Sequence, residues 1–181
     1  NNALTVGGIG DNGSSFSLTK AGSGILNISG TSTYAGTTTV SAGTLLLTGK
    51  ISSDTTVDNG ATLTLGAGAS TDVFGDNNSV TVIHSSTLDM SGTTETIGSL
   101  IGDSSANNVP NVTGTGTLTI TENGSRTFGG TIQNGSGILA ITKAGTGTLI
   151  INGGQNVYSG TTTAAGGTLV ELLADRVLVV P

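Results

Sequence analysis

The chain alternates apolar and polar residues in short runs, each bounded by Gly, Asn or Ser. Leu4 to Val6, Gly24 to Ser29, Thr37 to Val40, Thr44 to Thr48 and Ala61 to Leu65 read as strands. So do Ser79 to Ile83, Thr117 to Thr121, Ile138 to Thr142, Thr148 to Ile151 and Val177 to Val180. Period-two alternation of β-branched residues suits a pleated, half-buried surface. No 3.6-residue apolar stripe is sustained, so helix is nearly excluded. Asn-Gly pairs at Asn12, Asn59, Asn123, Asn134 and Asn152 supply the positive φ of tight turns. Taken alone, they favour hairpins and an antiparallel sandwich.

A longer-range pattern points to a solenoid instead. A small-Thr-Leu unit recurs and ends on Leu45, Leu63, Leu88, Leu118, Leu149 and Leu169, with Leu26 in front. These leucines are about 19, 18, 25, 30, 31 and 20 residues apart. One strand motif per 20 to 30 residues predicts stacked coils. In that reading Leu26, Leu45, Leu63, Leu88, Leu118, Leu149 and Leu169 form one internal ladder, and larger gaps are loops. A duplication supports it. Leu18-Thr19-Lys20-Ala21-Gly22-Ser23-Gly24-Ile25-Leu26 matches Ile141-Thr142-Lys143-Ala144-Gly145-Thr146-Gly147-Thr148-Leu149. Tyr34-x-Gly36-Thr37-Thr38-Thr39 then matches Tyr158-x-Gly160-Thr161-Thr162-Thr163, and Gly43-Thr44-Leu45 matches Gly167-Thr168-Leu169. Every coil of a solenoid meets the same packing problem, so motifs repeat.

The string Leu-Thr-Lys-x-Gly-x-Gly, then Tyr-x-Gly-Thr-Thr-Thr, then Gly-Thr-Leu resembles the passenger-associated transport repeat of bacterial autotransporters. The copies span residues 18–45 and 141–169, and Thr87 to Leu100 resembles the spacer between such repeats. The resemblance implies an all-β, right-handed parallel β-helix, carried through the outer membrane of a Gram-negative cell by a separate C-terminal barrel. It also implies an excised piece of a longer passenger, since no barrel strands or signal peptide are read here. Roughly seven to nine coils are expected. Residues 1–170 are taken as one segment. Residues 171–181 are far more apolar. They are a final coil, a cap or contact strand (Val177, Leu178, Val179 and Val180), or residues not native to the protein.

Composition narrows the chemistry. Gly, Thr, Ser and Asn make up more than half of the 181 residues, aromatics are 3%, and the net charge is -6. With no Cys, disulfides and thiolate metal sites are excluded. Five scattered basic residues do not make a phosphate-tracking surface, so nucleic acid is not an expected partner. No apolar run of about 18 residues exists to insert in a membrane.

Candidate sites are few. His84 and Ser86 share a face by period two, with Asp89 just beyond, but nothing shows a base in reach or an oxyanion hole; His84 reads as solvent-facing. Asp54, Asp58, Asp72, Asp76, Asp89, Glu95 and Asp103 lie in the middle third. A polysaccharide-cleaving enzyme would draw on such carboxylates, yet no Lys or Arg lies between Lys50 and Arg126; they read as solubilising charge. Gly7 to Asp11 is similar to a calcium β-roll nonapeptide but lacks its register, so no metal or cofactor is expected. Thr113, Thr115, Thr117, Thr119 and Thr121 read as one strand face. The Thr-Thr-Thr runs and uneven coils argue against a flat lattice of the ice-binding kind. Lys20 and Lys143 read as stems over a coil edge with the ammonium in water. Tyr34 and Tyr158 read as packing at a loop base. The function expected is a non-catalytic stalk or adhesin scaffold. Its candidate partner is a host or neighbouring-cell surface ligand or glycan, met through Asp103 to Asn111 and Val73 to Asn78. The alternative is a filament subunit that associates end to end.

Overall fold

In a computed structural model, the structure describes residues 2–66, 72–103, 108–154, 156–173 and 176–181. They form three sheets and no helix. The seven-stranded sheet contains β1 (Ala3–Val6), β3 (Ile25–Ile28), β5 (Thr44–Leu47), β7 (Thr62–Leu65), β9 (Thr87–Asp89), β12 (Asn111–Thr113) and β15 (Thr131–Ile132). The nine-stranded sheet contains β2 (Leu18–Lys20), β4 (Thr38–Val40), β6 (Thr55–Val57), β8 (Ser79–Val82), β11 (Ser99–Gly102), β14 (Ser125–Phe128), β17 (Thr148–Gly154), β19 (Thr168–Leu173) and β20 (Arg176–Val180). The four-stranded sheet contains β10 (Thr93–Ile97), β13 (Gly116–Ile120), β16 (Leu139–Lys143) and β18 (Thr162–Ala164). The chain visits the faces in turn, giving a β-solenoid of about seven turns.

Among the described residues every strand pair but one runs parallel; β19 and β20 run antiparallel. The Asn-Gly pairs therefore do not make the hairpins their chemistry favours. Asn12-Gly13 and Asn59-Gly60 do take positive φ, but within corners between parallel rungs. Asn123 and Asn134 act through their side chains. The Asn134 carboxamide oxygen accepts the backbone N–H of Leu139 and of Ser159, one coil away.

The core is thin and aliphatic. Along one column of the seven-stranded sheet, Leu26, Leu45, Leu63 and Leu88 sit rung over rung. Val112 and Ile132 continue that column. The single ladder of seven leucines does not form. Leu118 lies in the four-stranded sheet, between Glu95 and Ile141. Leu149 and Leu169 stack in the nine-stranded sheet. The cause is the third strand that each coil gains from β10 onward. Corner lengths vary, so a fixed Gly-Thr-Leu unit arrives at different faces. Core volume is balanced across rungs: Phe128 stacks on Gly102, where an added Cβ would lie 2.6 Å from the ring.

Residues 171–173 complete β19, and β20 returns antiparallel along it. Val177 pairs with Leu172, and Leu178 and Val179 stay exposed on this outermost strand. The terminal segment is thus a strand laid along the sheet edge and not a further coil.

Candidate functional site

The most elaborated positions are the corners of the duplicated motif. Alternation places Lys20 on the inward side with Leu18, and Lys143 with Ile141. Both lysines are buried, Lys143 completely, so their ammonium groups do not remain in water. Each is held by backbone carbonyls. Lys20 Nζ donates to the carbonyls of Ala21 (3.2 Å), Gly22 (2.6 Å) and Ala42 (2.8 Å). Lys143 Nζ donates to those of Glu122 (3.0 Å), Gly145 (3.1 Å), Gly166 (3.3 Å) and Ala144. The carbonyls come from the lysine's own corner and from neighbouring coils, so one cation ties rungs together. Burial lowers the Lys143 pKa, against the pull of the Glu122 carboxylate. Gly43 completes the first cage. Its φ is +68°, and a Cβ there would lie 2.5 Å from the Gly22 carbonyl oxygen and 2.8 Å from Lys20 Nζ.

The second half of the motif has its own fixture. The Tyr34 hydroxyl meets Thr38 Oγ1 at 2.5 Å, and Tyr158 meets Thr162 Oγ1 at 2.7 Å. Thr38 also bonds Ser53 on the next coil, while Tyr158 donates to Glu171 at 3.1 Å. Burial and the Glu171 carboxylate push the Tyr158 pKa up to about 12. Tyr34→Phe should cost about 1 kcal/mol, read from the shift in urea midpoint, because Thr38 keeps its bond to Ser53.

The two copies occupy different faces. In the first, Lys20 lies on the nine-stranded sheet and the chain then enters the seven-stranded one. In the second, Lys143 lies on the four-stranded sheet and the chain then enters the nine-stranded one. The repeat therefore encodes strand, lysine-filled corner and strand, and not one fixed side of the solenoid.

The other candidate residues are structural in these contacts. His84 and Ser85 both take positive φ, which breaks the alternation. His84 is exposed, whereas the Ser86 hydroxyl is buried and has no hydrogen-bond partner among the described residues. They share no face, and Asp89 lies elsewhere. His84 instead stands between coils, with Nδ1 2.6 Å from Asp58 and Nε2 3.8 Å from Asp103. The hydrogen bond to Asp58 and the field of Asp103 raise the His84 pKa, and the same bond lowers that of Asp58. A histidine with a higher pKa folded than unfolded stabilises fully below its unfolded value, and that contribution fades as pH rises through the folded one. In an NMR titration the His84 ring should therefore show a midpoint above 6.5 that falls toward 6.5 in Asp58→Asn.

Asp11 caps a turn: its oxygens accept the N–H groups of Gly13 and Ala35, both at 2.9 Å, which lowers its pKa. Those contacts occupy the one carboxylate of the calcium-like string. Asp72 pairs with Lys50 at the surface. Glu95 is buried and takes the N–H groups of Val73 (2.8 Å) and Phe74 (3.2 Å). Its pKa is raised by burial despite those donors. The middle-third carboxylates are therefore spread over separate tasks, and no metal-holding cluster occurs among the described residues.

The passenger-associated-transport-repeat family matches residues 18–47 and 141–170, the two segments that carry Lys20 and Lys143. An adhesin, the BmaC autotransporter of Brucella suis biovar 1 (strain 1330), is 35% identical over 169 residues, or 91% of this chain. The chain belongs to the autotransporter passengers. It spans 4% of that relative's length. No solved structure matches it.

On this passenger segment the stretches expected to meet a partner are partly interior. Val73 and Phe74 are buried under Glu95, leaving Asp76 and Asn77 exposed from that stretch. In the stretch from Asp103 to Asn111, residues 104–107 lie outside the described residues, and Asp103 faces His84. The Thr row is divided. Thr113 belongs to β12, and Gly114 and Gly116, at φ +120° and +117°, turn the chain into β13. What the sequence reading missed is the register beyond that turn. Thr96, Thr119, Thr142 and Thr163 stack in one unbroken outward column, although coil lengths vary. The corners absorb the variation and the sheet keeps its rungs.

Proposed function

We propose that this segment is a non-catalytic extracellular scaffold, a stalk piece of a surface-displayed or secreted adhesin of a Gram-negative bacterium. The observation that carries the reading is the parallel ladder itself, coil on coil around a dry aliphatic core pinned by buried lysines. Contacts are made between neighbouring coils. Such a chain can cross a pore unfolded and build its structure one coil at a time on an existing edge. The absence of cysteine leaves no disulfide to obstruct that passage. At about 4.8 Å per rung, seven rungs make a rod of about 30 Å, and further coils of the same kind would lengthen it. Its mechanism is display: a stiff rod holds binding surfaces away from the cell. The adhesin named above supports this reading.

The filament alternative draws on β20. An outermost strand with Leu178 and Val179 exposed offers backbone groups for pairing to a second copy. Two measurements decide. Light scattering over a concentration series gives a constant mass for a stalk segment and growing particles for a filament subunit. Beads coated with the chain bind host cells if the segment itself adheres; an unbound bead with a constant mass leaves a stalk that only spaces.

A further inference from the structure

We propose that the corner between the seven-stranded and four-stranded sheets is a binding groove for a neutral oligosaccharide. The inference rests on the adhesin reading and names its ligand class. Three successive corners stack here, after β9, after β12 and after β15, spanning about 10 Å along the axis. They enclose a hollow of about 520 Å³ lined by Asp89, Ser91, Thr113, Thr115 and Ser136 over a floor of glycine backbone. Gly114 lets the floor pack closely on the coil before it, since an added Cβ would lie 2.8 Å from the Ser91 nitrogen and 2.9 Å from Asp89 Oδ1.

The donors and acceptors are unevenly used. Asp89 Oδ1 accepts the Ser91 N–H at 3.0 Å, while Oδ2 takes no hydrogen bond among the described residues. The hydroxyls of Ser91, Thr115 and Ser136 likewise have no protein partner there. The half-buried hydroxyls of Ser91 and Thr115, the exposed one of Ser136 and one carboxylate around a concave floor match the alternating donors and acceptors of a sugar ring. Charge narrows the ligand further. No Lys or Arg lines the hollow, and the chain carries net charge -6, so uronic or sialic acids would meet repulsion. Beside the groove, Thr94, Thr117 and the column of Thr96, Thr119, Thr142 and Thr163 extend an uncharged, hydroxyl-bearing face. No aromatic ring lines the groove to stack on a sugar, so a single site is weak and adhesion would come from many copies on one cell.

The test is a panel of neutral and acidic oligosaccharides titrated into the ¹⁵N-labelled chain. Expected are amide shifts confined to residues 89–92, 113–116 and 135–137, seen with neutral sugars and not with acidic ones. Asp89→Asn and the near-isosteric Thr115→Val should each weaken binding by about tenfold. Spectra of the free variants check that both remain folded. Shifts elsewhere, equal binding of acidic sugars, unchanged affinity in both folded variants, or no shift with any sugar would overturn the groove. Bead adhesion that survives in both variants would leave the adhesin reading standing while removing this site from it.

Discussion

Lys143→Met should destabilise the passenger by about 3 kcal/mol or more, measured by urea denaturation. Methionine preserves the aliphatic stem, so the loss isolates the ammonium. Four carbonyl oxygens from three corners would lose the ammonium, and among the described residues only that of Glu122 keeps another donor, the Gly147 N–H. A hydrogen bond from a charged donor is worth roughly 1.5–3 kcal/mol, and a buried acceptor left unpaired costs about 1–3 kcal/mol. Lys20→Met should cost less, because Lys20 donates to three carbonyls and retains slight exposure. Arginine should not substitute at 143. Its planar fork cannot converge on carbonyls that surround a compact ammonium. If Lys143→Met matched Lys143→Arg and both cost under 0.5 kcal/mol, the cage would be incidental to stability.

The lysine cages also show where the sequence was readable and where it was read against its own evidence. Period two placed Lys20 with Leu18 and Lys143 with Ile141, which is the inward side. The general habit of lysine at surfaces outweighed that signal. A buried cation is usually sought beside a carboxylate, and its partners here are backbone carbonyls, which composition does not reveal. The parallel solenoid was legible because Gly-Thr-Leu units and a long duplication recur, and four leucines do share one column. Leu118, Leu149 and Leu169 went to other faces because phase around the axis depends on corner lengths. Those are set by residues such as Gly114 and His84, whose positive φ no strand pattern announces. Val112 and Ile132 hold the later rungs of the leucine column without the Gly-Thr-Leu signature. The groove was invisible for a related reason: Asp89, Thr115 and Ser136 lie on three coils and meet only once the stacking register is known. His84 was expected to face solvent and does, but its partners Asp58 and Asp103 sit one coil to either side.

Leu63→Ala should cost about 3–5 kcal/mol, and the damage should stay local. Leu63 is fully buried in the middle of its column, with Leu45 on one side and Leu88 on the other. Truncation removes the transfer free energy of the lost methyl groups and leaves a cavity between two rungs whose backbone ladders prevent collapse. Contacts in a solenoid run between neighbours, so loosening at β7 lowers the protection of β5 and β9 first. Hydrogen exchange should therefore show the largest acceleration in residues 44–47, 62–65 and 87–89, fading toward β16 and β17. Leu26→Ala, at a partly buried rung near the first coil, should cost clearly less. A uniform rise in exchange over all three sheets would mean that the coils unfold as one cooperative body. Coil-by-coil assembly outside the cell would then lack its physical basis, because an edge that cannot hold its own stability cannot template the next coil.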